Sequence, residues 1–135
     1  MSLESVNPEA LGAPKGYSNG ILCPAGSRIL FVAGQVGWNE SQKIVPGGFA
    51  PQFARALENV VAVVRAAGGS PLRIARLTIY VTDRKLYLAA LSDVGTVYRR
   101  IMGKHFPAMA LLEVKALLEE GALVEIEATA ALPGA

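Results

Sequence analysis

The residues with the clearest capacity for chemistry are two glutamates, Glu125 and Glu127, in the stretch Leu123-Val124-Glu125-Ile126-Glu127-Ala128. In an extended strand this spacing puts both carboxylates on one side of the backbone, about 7 Å apart. Buried at a subunit junction, such a pair would be driven toward protonation by desolvation and by its own like charge. A carboxyl group poised in that way suits general acid–base hydrolysis near neutral pH. The competing reading is a solvated strand face, or one paired with Arg76 of a neighbouring segment.

Other reactive side chains are scarce. One histidine (His105) and one cysteine (Cys23) leave no intrachain disulfide, no Cys/His zinc site and no histidine pair within one chain. His105 has no evident aspartate or nucleophile beside it, which points to a structural or exposed role. Cys23 precedes a proline and reads as a small buried apolar residue, with nothing near it to depress a thiol pKa. Nucleotide-binding, nucleophile-elbow and zincin motifs are absent. Tyr17 lies in a Gly/Ser/Asn-rich segment as a loop anchor, and Trp38 in a Gly-Trp-Asn loop suited to interface packing or stacking. Gly34 interrupts a strand, which implies a bulge or a close backbone approach. Met109 and Leu111 share one strand face and read as core.

The elements that must carry these residues follow from periodicity. Gly20–Cys23 and Arg28–Val36 are strand-like, and the turn cluster Pro24-Ala25-Gly26-Ser27 between them predicts a hairpin. Phe53, Leu57, Val60, Val61 and Val64 recur at helical spacing, predicting a helix from about Pro51 to Ala67 that stops at Gly68-Gly69. Ile74–Thr82 alternates as a strand. A second helix is predicted from Asp83, its N-cap, to Met102, with Gly103 beyond its end. Met109–Lys115 and Leu123–Ala130 complete a β-β-α-β-α-β-β order, while Met1–Val6 and Pro133–Ala135 read as loose ends. Two helices cover only one face of such a sheet. The other face would carry Thr78, Tyr80, Glu125 and Glu127 and would need a cover from another subunit.

At 135 residues the chain is read as a single domain, 1–135. With 52% apolar residues, 18% charged and a mean hydropathy of +0.37, it has more apolar material than a small solitary domain uses. Disorder is thereby excluded and a homo-oligomer expected. The net charge of +2 comes from scattered basic residues, not a nucleic-acid footprint. Met-Ser-Leu-Glu does not read as a signal peptide, and no apolar run approaches the roughly 18 residues of a membrane span. A cytoplasmic protein with no membrane partner is the resulting expectation.

Several stretches in register, Gly16-Tyr17-Ser18-Asn19-Gly20, Ala33-Gly34-Gln35-Val36, Leu57-Glu58-Asn59-Val60, Phe106-Pro107-Ala108 and Leu123–Ala128, resemble the RidA (YjgF, L-PSP) family over roughly Asn7 to Leu132. The resemblance implies a chorismate-mutase-like α+β fold, a homotrimer around a central β-barrel, and a small-molecule pocket in each intersubunit cleft. It also implies cofactor-free hydrolysis of enamines and imines to 2-keto acids and ammonia. Glu125 would position or activate water, while Tyr17 and the Gly34 main chain would contact ligand. Where the family carries a substrate-anchoring arginine after Phe-Pro-Ala, this chain has Met109, and Leu111 stands where cysteine or serine is frequent. An apolar thioether replaces a bidentate cation. The resemblance thus implies a deaminase-like enzyme for a less anionic, or larger and more apolar, substrate, with Trp38 as a further wall. Two alternatives stand beside it: a non-catalytic trimeric ligand-binding or regulatory protein, and an L-PSP-type endoribonuclease or translation inhibitor.

Overall fold

The computed structural model of the chain describes residues 1–134. Its main sheet has the order β3-β6-β4-β5, built from β3 (Arg28–Val36), β4 (Ile74–Val81), β5 (Ala108–Glu113) and β6 (Val124–Leu132). β6 is antiparallel to both neighbours, whereas β4 and β5 run parallel, as a helical crossover between them requires. The helices are α1 (Phe49–Ala66), α2 (Arg84–Ala89) and α3 (Leu91–Met102). They cover one face, where Phe53, Leu57, Val60 and Val64 of α1 meet Ile74, Leu77, Ile126 and Val124 in a fully buried core.

The predicted α1 stripe is the buried one, and Pro51 falls in the first turn, where its missing N–H costs no helical bond. Gly68, at a φ of +90°, ends the run. Asp83 caps α2 by accepting from the Lys85 amide at 2.9 Å. The single helix predicted over Asp83–Met102 is instead two, divided at Ala90 (φ −100°, ψ 9°). Tertiary packing outweighs helix propensity here: Tyr87 meets Phe49 edge-on at 6.0 Å and anchors α2 apart from the Val94, Tyr98 and Met102 stripe of α3.

The predicted hairpin does not form. The Pro24–Ser27 turn closes, with the Ser27 amide on the Pro24 carbonyl at 3.3 Å, but β2 (Gly20–Leu22) pairs with β1 (Glu4–Val6). β3 spends its ladder on β6 from Arg28↔Leu132 to Val36↔Glu125, and Pro24 has no N–H to extend β2 toward it. Of Met1–Val6, expected to be loose, Glu4–Val6 are therefore strand. Cys23 is half-buried, not buried.

Polar side chains tie the layers together. Gln52 is buried on α1; its amide donates to the Gly121 carbonyl at 3.1 Å and accepts from the Leu123 amide at 2.8 Å, fixing the entry to β6. Asn59 donates to the Val36 and Trp38 carbonyls and holds the end of β3. His105 has its structural role: its Nε2 lies 2.7 Å from the Ile74 carbonyl. No helix is long and apolar enough to cross a membrane among the described residues.

Candidate functional site

The sheet face away from the helices carries Thr78, Tyr80, Glu125 and Glu127, as the alternation predicts. Tyr80 is opposite Glu125 and Thr78 opposite Glu127 in the β4–β6 register. Thr78, Tyr80 and Glu127, with Phe31 of β3 and Leu112 of β5, border a depression of about 440 Å³ that also takes in Arg76, while Glu125 lies outside its lining. Phe31 is 80% exposed and Leu112 45%, so this face presents apolar surface around a polar centre.

The two glutamates are not equivalent. The Tyr80 hydroxyl donates to Glu127 Oε1 at 2.5 Å, and that bond to a carboxylate is the main cause holding the Tyr80 pKa above the ordinary tyrosine value. Glu125 has no hydrogen-bond partner among the described residues. Its carboxylate lies against Gly34 so closely that a Cβ there would overlap it, meeting Cδ at 2.8 Å. The space comes from a β3 bulge between Val32 and Gln35, which turns Gly34 toward the Glu125 side of the sheet. A glycine inside the strand thus marks a close approach, and what approaches is the carboxylate. Arg76, offered as an alternative partner, forms no ion pair; the two ion pairs among the described residues are Arg55–Glu40 and Arg100–Glu58.

A second group of residues lies across the sheet. Met109 is opposite Leu77 and Leu111 opposite Ile79, which puts both on the helix side. Leu111 packs against the core. Met109 lines a crevice of about 410 Å³ between β5, α3 and the segment containing Lys15 and Gly16. That segment is bound to the start of β5: the Ser18 amide donates to the Pro107 carbonyl at 3.1 Å and the Ser18 hydroxyl to the Phe106 carbonyl at 2.5 Å. Tyr17 is therefore held beside Phe106–Ala108, 40% exposed. Trp38 is elsewhere, in a loop bridged to Ile44, bordering a depression with Glu40, Arg55 and Asn59. Within one chain, then, Glu125 and Gly34 form one group, Tyr17 and Met109 another, and Trp38 stands apart.

Sequence reasoning did not single out Lys15, Tyr87 or Arg99, which also line the Met109 crevice. The signal available was Gly95, four residues before Arg99 and so on the same helix face.

Four strands with helices on one face and an uncovered, carboxylate-bearing opposite face define an α+β protein of the chorismate-mutase-like class. The chain belongs to the RidA/YjgF family: the family model described as endoribonuclease L-PSP matches residues 7–132. It is 38% identical over 104 residues to the RutC family protein UK114 of Drosophila melanogaster, covering 76% of this chain and 72% of that one. It is 34% identical over 127 residues to the 2-iminobutanoate/2-iminopropanoate deaminase of Rattus norvegicus, covering 91% and 82%. Among solved structures, the Rid-family protein YyfB of Yersinia pestis superposes with a TM-score of 0.86 at 32% identity, covering 98% of this chain and 100% of that one. The YjgF product of E. coli does so at 0.66 and 31% identity, covering 93% and 92%.

Proposed function

We propose that the protein is a cofactor-independent hydrolase of imines or enamines, working in clefts between the subunits of a homotrimer. The observation that carries this reading is the Glu125 carboxylate, unpartnered among the described residues and seated on the Gly34 main chain at an uncovered sheet face. Tyr17 and Met109 belong to the β5 edge and the opposite side of the sheet, so only a neighbouring subunit brings both groups to one ligand. The relatives named as 2-iminobutanoate/2-iminopropanoate deaminases support the reaction class.

In this reading Glu125 accepts a proton from water as the water oxygen bonds to the imine carbon. It then returns that proton to nitrogen, giving a carbinolamine; the carbinolamine hydroxyl proton passes through Glu125 to the amino nitrogen as the carbon–nitrogen bond breaks, giving a ketone and ammonia. Tyr17 and the Gly34 main chain hold the ligand. Met109, in place of a guanidinium, selects a larger and more apolar substrate than 2-iminopropanoate, with Leu111 behind it and Trp38 as an outer wall. Trp38 enters only if the neighbouring chain brings its loop to the cleft.

The test is ammonia and keto-acid release from freshly generated imines of graded apolar size. E125A is expected to lose about 100-fold or more of the rate, and G34A to lose activity with its fold intact. M109R is expected to gain hydrolysis of 2-aminoacrylate. No turnover across the panel, together with ligand-induced melting shifts, would leave a binding protein in its place. RNA cleavage that survives purification and is lost with E125A would favour the nuclease.

A further inference from the structure

The Met109 crevice has a chemical character of its own. Its floor and walls are aromatic and aliphatic: Tyr98 and Phe106 stack at 5.6 Å with their planes 7° apart, and Met109 and Phe53 lie beside them. The charged side chains bordering it are Lys15 and Arg99, both cations, and no acidic residue borders it. The nearest acid of α3, Asp93, lines a different depression. Neither cation forms an ion pair among the described residues, whereas Arg100, next along the helix, is held by Glu58 at 3.5 Å. The Arg99 guanidinium folds back over the helix beside Gly95, where a Cβ would meet Nη1 at 3.4 Å, an ordinary contact. The Tyr98 hydroxyl is committed to the His105 carbonyl at 2.7 Å, but the half-buried Tyr87 hydroxyl has no partner among the described residues.

We propose that this crevice binds a small amphipathic carboxylate, its head paired with Arg99 and Lys15 and its apolar body resting on Met109, Phe106 and Tyr87. A guanidinium without a carboxylate of its own is a ready partner for a bidentate anion. A crevice otherwise lined by rings and a thioether rewards an apolar body. Naming this ligand as the substrate rests on the imine-hydrolase reading; the binding site stands on the crevice alone. In that context the cation missing at position 109 is supplied from α3, so the preferred imine carries a carboxylate at a distance from an aryl or branched alkyl group.

Calorimetric titration of the full-length protein with hydrocinnamate and its neutral analogue hydrocinnamamide tests this. The acid is expected to bind about tenfold or more tighter than the amide. R99Q is expected to remove that preference, and R100Q, one residue on, to preserve it. Equal affinity for acid and amide, or equal losses in R99Q and R100Q, would overturn the site. E125Q separates the two proposals: it is expected to abolish turnover while the preference for acid over amide, and its loss in R99Q, persist. Binding without turnover in the wild type would therefore sink the hydrolase reading alone.

Discussion

Glu125 and Glu127 have the same residue type and the same strand face, yet their neighbours give them different work. Glu127 is spent on the Tyr80 hydroxyl and stiffens the centre of the face; Glu125 is left to whatever enters. The Tyr80 bond has a pH signature. Folding raises the Tyr80 pKa, chiefly through the carboxylate that its hydroxyl donates to. Its stabilisation is therefore complete below the unfolded value of about 10 and is lost as pH climbs through the raised folded value. Denaturation midpoints followed from neutral pH to about 11 should fall more steeply for the wild type than for Y80F. Tyr87 and Tyr98, also raised by burial, contribute equally to both proteins. Superimposable curves would mean that the hydroxyl bond adds nothing. The pair Glu125/Glu127 was legible from alternation alone; their inequality was not, because it depends on the Tyr80 hydroxyl reaching diagonally past Glu125, its register partner, to Glu127.

At the level of elements, the join between α1 and the start of β6 rests on one buried amide. Q52L would leave the Leu123 amide and the Gly121 carbonyl without their partner. A loss of about 1–3 kcal/mol in denaturant unfolding is expected, whereas Q52E, which keeps the acceptor but not the donor, should fall between. Periodicity located α1, β3, β4 and β6 to within a few residues, since each buries one regular stripe or alternating set. It failed where partners, not patterns, decide. β2 carries the same signal whether it pairs with β3 or β1, and the turn Pro24–Ser27 forms in either case. The division at Ala90 leaves no mark in residue type, because alanine favours the helix it interrupts. The crevice cations were missed for a related reason: Lys15 and Arg99 are distant in sequence and meet only through the docking of the Tyr17–Ser18 segment on β5.

For the molecule as a whole, the uncovered sheet face is the main asymmetry. Helices bury most of one side, while the other leaves Phe31 80% and Ile29 53% exposed around the polar centre. An apolar composition of 52% leads to the same expectation, that copies of the chain cover this face for one another. Light scattering at micromolar concentration is expected to give three times the chain mass of 14.2 kDa. F31D, which replaces an apolar contact worth about 1.5–3 kcal/mol per subunit when buried, is expected to shift the protein toward monomer and to abolish turnover with it. A monomeric wild type would remove the shared cleft. β3 and β5 are the sheet's outer strands, and association that also shields them would limit uncontrolled strand pairing.

The contact between Gly34 and Glu125 carries an evolutionary corollary. While the carboxylate occupies the space above position 34, any larger residue there collides with it. Once the glutamate has been shortened, the glycine is free to vary. Two loci far apart along the gene are thus coupled, and descendants that have lost the acid should be the ones in which the glycine has drifted.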